Sequence, residues 1–101
     1  MNKNPKLKCA VIGAGYFGKH YIRLLQESSG ADLIVVVDKF LESFKKISVT
    51  SSVKKTTEAG DVFDNPEIDC VFIATPAGTH FELAKSALES GKHVFLEKPM
   101  T

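Results

Sequence analysis

Tryptophan is absent from the 101 residues, tyrosine and cysteine each occur twice, and proline occurs four times. Two cysteines are too few for a disulfide scaffold, and Cys9 and Cys70 both sit inside apolar runs. They behave as small buried hydrophobes, and the inferred reducing compartment argues against pairing them. Neither belongs to a C-x-x-C, so a zinc or redox centre is not indicated. No apolar run approaches the roughly 18 residues that cross a bilayer, and the charged start Met1 to Lys6 has no adequate signal-peptide core behind it. The expectation is a soluble cytoplasmic protein. An excess of charge of either sign is also missing: 13 Lys and Arg face 12 Asp and Glu. The basic residues are scattered, which leaves no footprint for nucleic acid, and a small-molecule partner is expected.

What is present is an alternation of short β-branched runs with helical periodicity. Leu7 to Ile12 reads as a buried strand. Gly13-Ala14-Gly15-Tyr16-Phe17-Gly18 follows it, with the spacing G-x-G-x-x-G. Each glycine has a mechanical role in a dinucleotide site. Gly13 turns the chain sharply, Gly15 lets a pyrophosphate approach the backbone, and Gly18 lets helix and strand pack closely. The helix N-terminus then supplies free N–H groups and the positive end of its dipole. Phe17, Tyr21, Leu24 and Leu25 are expected on its buried face, with Lys19, Arg23 and Gln26 outward, and Gly30 is expected to end it in a left-handed conformation.

A second strand, Asp32 to Val37, has an unbroken apolar run, the pattern of a parallel strand covered on both faces. It ends in Asp38, about 20 residues beyond Gly18, where a carboxylate can accept from an adenosine ribose. A carboxylate there repels a 2′-phosphate and favours NAD, while the adjacent Lys39 is the kind of residue that admits NADP. Phe40, Leu41, Phe44 and Ile47 suggest a short helix, and Val53 to Thr56 a short edge strand. Gly60 to Asp64 makes a turn or two of helix before Asn65-Pro66 breaks it.

Ile68 to Ala74 is a further buried strand and runs into Thr75-Pro76-Ala77-Gly78-Thr79-His80. Thr79 and Glu82 have capping-box spacing, and Phe81, Leu83, Ala84, Ala87 and Leu88 are expected to form the buried face of a helix ended by Gly91. A last strand, His93 to Leu96, delivers Glu97-Lys98-Pro99. The whole predicts an α/β fold, a doubly wound parallel sheet of five strands in order 3-2-1-4-5 with helices on both faces. Its ligand edge lies at the carboxyl ends of the strands.

The glycine fingerprint, A-T-P-x-x-x-H at Ala74 to His80, and E-K-P at Glu97 to Pro99 together resemble the N-terminal dinucleotide-binding domain of the Gfo/Idh/MocA oxidoreductases. The likeness covers about Leu7 to Pro99. It implies an NAD(P)-dependent oxidoreductase acting on sugars, cyclitols or sugar nucleotides, with residues 1–101 forming its Rossmann domain. It further implies cofactor contacts from Gly13, Gly15, the backbone of Tyr16 and Phe17, Gly18, Asp38, Lys39, Thr75, Pro76, His80 and Glu97. Lys98 would contact the cofactor and serve as the catalytic residue, orienting a substrate hydroxyl and stabilising developing negative charge. Family members carry a second domain after the E-K-P that forms the substrate site. The expectation for this chain alone is therefore cofactor binding without turnover, with apolar sheet surface left open. The missing half would come from a longer chain, a homo-oligomer or a partner chain. A non-catalytic nucleotide-binding or sensor module is the alternative, distinguishable by whether the neighbouring reading frame encodes the missing domain. A methyltransferase that binds S-adenosylmethionine would leave the E-K-P unexplained.

Overall fold

The computed structural model describes residues 6–75 and 77–96, without the side chains at 16, 17 and 77. The β-branched runs form five strands: β1 (Leu7–Ile12), β2 (Ala31–Val37), β3 (Lys54–Thr56), β4 (Cys70–Ile73) and β5 (His93–Leu96). All neighbours pair in parallel, in the order β3-β2-β1-β4-β5. Three α-helices connect them, α1 (Tyr16–Glu27), α2 (Gly60–Phe63) and α3 (His80–Glu89), together with 3₁₀ segments at Leu41–Lys46 and Ala77–Thr79.

The unbroken apolar character of the central strands follows from having two covered faces. On one face Cys9, Val11, Leu33, Val36 and Cys70 meet Ile22 and Leu25 of α1. On the other, Ala10, Ile12, Val35, Val37, Val71 and Ile73 meet Val62 of α2 and Leu83, Ala84 and Ala87 of α3. Leu33 and Val36 share a face although three residues apart, because the β1–β2 register slips at Ile34: Cys9 pairs with Leu33 and Ala10 with Val35. This one-residue bulge lets Ile34 and Val35 both serve the α3 side.

Several expectations are corrected. The buried stripe of α1 is rotated from the predicted one, with Ile22 only 2% exposed and Leu24 43% exposed. The reason is the glycine turn: Gly18 lies directly against Gly13, which sets the helix phase so that positions 18, 22 and 25 face the sheet. Gln26, expected outward, bridges to the following loop, its Nε2 donating to Ser48 O at 2.9 Å and its Oε1 accepting from Thr50 N–H at 3.0 Å. Gly30 is not left-handed, and among the described residues only Gly13 and Gly91 have positive φ. α1 instead ends in extended backbone at Ser28, whose Oγ accepts the Gly30 N–H at 3.1 Å. On α3, Phe81 is 74% and Leu88 63% exposed. Lys85 lies on that same stripe, four residues after Phe81, and the face that packs is Leu83, Ala84 and Ala87. Gly91, at φ +80°, does end α3 as expected.

Of the segment after β2, Phe44 and Ile47 pack on the core while Phe40 and Leu41 are exposed. At the β5 edge Phe95 stacks on Phe72 at 4.8 Å between ring centroids, and both Phe95 and Leu96 remain exposed.

Cys9 and Cys70 are directly paired in register on β1 and β4, and both are free thiols. Burial pushes the Cys9 thiol up to about 12 and raises Cys70 as well. An ordinary thiol near pKa 8.5 is roughly one-quarter ionised at pH 8, whereas one near 12 is ionised to about one part in ten thousand. Both cysteines are therefore expected to ignore an aromatic disulfide reagent at pH 8 in the native chain and to react within seconds in denaturant. Rapid stoichiometric labelling under native conditions would contradict this burial.

Candidate functional site

The carboxyl ends of β1, β2 and β4 open onto a cleft of about 680 Å³, inside the range of roughly 300–1,000 Å³ usual for small-molecule sites. Its floor is the glycine turn. Gly13 continues the sheet, its N–H donating to Val37 O at 2.7 Å, and then turns at φ +103°. A Cβ at Gly13 would stand 2.8 Å from Ala74 O, and one at Gly18 would overlap the Gly13 carbonyl oxygen. Both positions therefore exclude side chains for reasons internal to the protein. Gly15 differs: a Cβ there would meet no heavy atom within 4 Å. Packing does not require that glycine, and an approaching ligand would.

α1 begins here with no side-chain cap on Gly15 and no acidic residue in its first turn. Its leading N–H groups, those of Tyr16 and Phe17 among them, have no partner within the helix. This is the arrangement that binds a phosphate by backbone donors and helix dipole.

Asp38 lines the cleft at the end of β2. Its Oδ2 accepts from Ala14 N–H at 2.8 Å and its Oδ1 from Phe40 N–H at 2.9 Å. A carboxylate offers about four lone-pair directions, and among the described residues these two N–H groups take two of them. Lys39 is exposed at the rim, its ammonium 5.4 Å from the Phe40 ring centroid.

At the other end of the cleft Thr75 is held twice. Its Oγ1 accepts from Thr79 Oγ1 at 2.7 Å and its carbonyl oxygen lies 2.6 Å from His80 Nε2. A carbonyl only accepts, so this contact places the hydrogen on Nε2. His80 is half-buried and stands behind Thr75, outside the set of described residues lining the cleft. Its direct partner is the loop, where a cofactor contact was expected. The Thr79–Glu82 capping box is likewise replaced: no side chain caps α3, and the Thr79 hydroxyl goes to Thr75.

Pro76, Glu97 and Lys98 lie outside the described residues, as do the side chains of Tyr16 and Phe17. The cleft also takes in Phe40, Ser43, Thr57, Ala59, Gly78, Glu82 and Leu83, which the sequence reading did not select as site residues. Thr57 directly follows β3 and Phe40 lies three residues after β2, so their placement on the ligand edge was available as a rule. Ser43, on an irregular 3₁₀ segment, carries no such signal.

Comparison with known proteins agrees with this geometry. The chain is 35% identical to the scyllo-inositol 2-dehydrogenase (NAD⁺) of Bacillus subtilis, over 95% of this chain and 29% of that protein. GenD2 from gentamicin A biosynthesis, solved in complex with NAD, superposes with a TM-score of 0.87 at 27% identity, over 98% of this chain and 28% of GenD2. The biliverdin reductase of Synechocystis, solved with biliverdin and NADP⁺, gives a TM-score of 0.83 at 28% identity, over 92% of this chain and 29% of the reductase. The chain thus spans under a third of the length of each of these proteins. The oxidoreductase family with an NAD-binding Rossmann fold, Gfo/Idh/MocA, matches residues 7–101, and the chain belongs to it.

Proposed function

We propose that this chain is the dinucleotide-binding part of a larger NAD-dependent oxidoreductase whose substrate is a cyclitol, sugar or sugar derivative. The observation that carries the reading is Gly15, a glycine that internal packing does not demand, placed at the uncapped start of α1 in the cleft. The residues present fit a dinucleotide. Gly13, Gly15 and the Tyr16 and Phe17 N–H groups would take the pyrophosphate, and Asp38 the adenosine ribose. Thr75, with Pro76 beside it in sequence, would border the nicotinamide. The nicotinamide, when bound, supplies hydride acceptance. His80 and Thr79 hold Thr75 in place for it. Lys98, two positions after β5, with Glu97 beside it, would orient the substrate hydroxyl and neutralise charge developing on its oxygen. A second domain after the E-K-P would complete the substrate site.

NAD is preferred because the Asp38 carboxylate repels a 2′-phosphate, and Lys39 at the rim is the residue through which NADP would enter. The substrate class follows the inositol dehydrogenase relative. Two free buried thiols fit a reducing compartment such as the cytoplasm. Among the described residues no helix is long and apolar enough to cross a membrane.

Calorimetric titration tests the reading. NAD is expected to bind the chain at least about 10-fold more tightly than NADP. Gly15→Val is expected to abolish binding of both while leaving the circular dichroism spectrum unchanged. Unchanged NAD affinity in Gly15→Val would remove the glycine turn from the site.

A further inference from the structure

Asp38 does more in this fold than face the cleft. Its carboxylate holds the backbone of two separate segments, Ala14 in the glycine turn and Phe40 in the chain beyond β2. Its own N–H donates to Thr56 O at 3.2 Å, so the same residue also joins the ends of β2 and β3. Ala14 is the link between Gly13 and Gly15. With Gly13 fixed by Val37 O and by its contact with Ala74, the Ala14 N–H is the next donor along the turn. The group that satisfies it is a side chain 24 residues away, with no backbone partner involved.

We propose that Asp38 is a positioning residue for the pyrophosphate half of the site, in addition to its place beside the ribose. Oδ2 holds Ala14 N–H, and through it fixes Gly15 and the first free N–H groups of α1 where a pyrophosphate meets them. The two remaining lone-pair directions of the carboxylate serve the sugar. Adenosine recognition and phosphate recognition are therefore coupled through one side chain. A change at Asp38 made to alter nucleotide preference also loosens the phosphate-binding turn. This inference rests on the dinucleotide reading above.

The test separates the two roles with ligands that contain only one of the groups. Inorganic pyrophosphate lacks the ribose, and adenosine lacks the phosphates. Wild type, Asp38→Ala and Asp38→Asn are compared by amide hydrogen exchange in the free chain and by NMR titration with each ligand. Asn keeps the shape and one oxygen acceptor, and it provides a foldable comparison if the alanine variant loses its dispersed spectrum. In Asp38→Ala the Ala14 amide is expected to exchange at least about 10-fold faster while β4 amides such as Val71 are unchanged, and in Asp38→Asn, which has one acceptor oxygen for two N–H groups, Ala14 protection is expected to fall part of the way. Pyrophosphate binding is expected to weaken about 5-fold or more, alongside adenosine. Unchanged Ala14 exchange, or full pyrophosphate affinity with only adenosine weakened, would overturn the proposal and leave Asp38 a ribose contact alone. Failure of the wild-type chain to bind ADP-ribose would instead overturn the cofactor reading. The Ala14 exchange then still decides whether Asp38 holds the turn.

Discussion

Gly18→Ala is expected to cost this chain more than about 3 kcal/mol of folding stability, whereas Gly15→Ala should change it by less than about 1 kcal/mol. Helix propensity alone predicts the opposite for Gly18, since alanine in a helix interior is favoured over glycine by about 0.8–1 kcal/mol. Packing decides the sign. A Cβ at Gly18 falls on the Gly13 carbonyl oxygen and 2.7 Å from its carbon, and both are backbone atoms that cannot rotate away. Gly13 cannot retreat either, because it is already tight against Ala74. The helix would have to lift off β1, opening the contact that seats Ile22 and Leu25 on the sheet. Gly15 has an ordinary φ of −77° and open space around it. An alanine there loses a little as a helix cap and gains a little by restricting the unfolded chain. Urea denaturation followed by circular dichroism separates the two variants. Equal midpoints would mean that the close approach of α1 and the turn is not what requires Gly18. The pair also divides the fingerprint by cause, Gly13 and Gly18 serving the fold while Gly15 is not required by it.

That division explains why the fold was largely legible in the sequence and the site only partly. Strand order and parallel pairing follow from unbroken β-branched runs alternating with helices, a pattern that a doubly wound sheet satisfies and few other architectures do. Gly13 and Gly18 stand where a side chain is excluded, whereas Gly15 is left open by the protein's own packing. Side-chain phase was less legible. Leu24 and Ile22 are equally apolar, and only the contact between Gly18 and Gly13 chooses which one faces the sheet. Phe81 and Leu88 read as core by hydropathy, yet the small Ala84 and Ala87 let α3 sit close on their own stripe and leave the larger residues outside. The hydrogen bonds of Asp38 and His80 were not legible either. A carboxylate at the end of β2 signals a ribose in either case, and nothing local reveals that Ala14, 24 residues earlier, donates to it. The same holds for His80, whose Nε2 lies 2.6 Å from the Thr75 carbonyl oxygen, a contact with the loop that nothing local reveals.

Lys92→Ala is expected to destabilise the chain by about 3–5 kcal/mol and Lys92→Met by about 1–3 kcal/mol. Lys92, between Gly91 and the first residue of β5, is only 5% exposed. Its ammonium donates to Asn65 O at 2.7 Å and Ile68 O at 3.0 Å, pinning the loop before β4 to the start of β5. Among the described residues its hydrogen-bond partners are these carbonyls, and the ion pairs formed are Lys8–Glu67 and Lys54–Asp61. The bonds must therefore offset the desolvation of a charge without the help of a carboxylate. Alanine removes the donor and the apolar stem together, leaving two carbonyls unpaired and a cavity between loop and strand. Methionine keeps the stem and removes the buried charge, so part of the loss returns as avoided desolvation. The order wild type, Met, Ala in urea midpoint is the diagnostic result. A methionine variant more stable than wild type would show that the charge costs more than its two bonds return. Its position gives this anchor a consequence at the cleft. Lys92 fixes the amino end of the strand whose carboxyl end leads into Glu97 and Lys98, so a loosened β5 start would displace the residues proposed to meet the substrate.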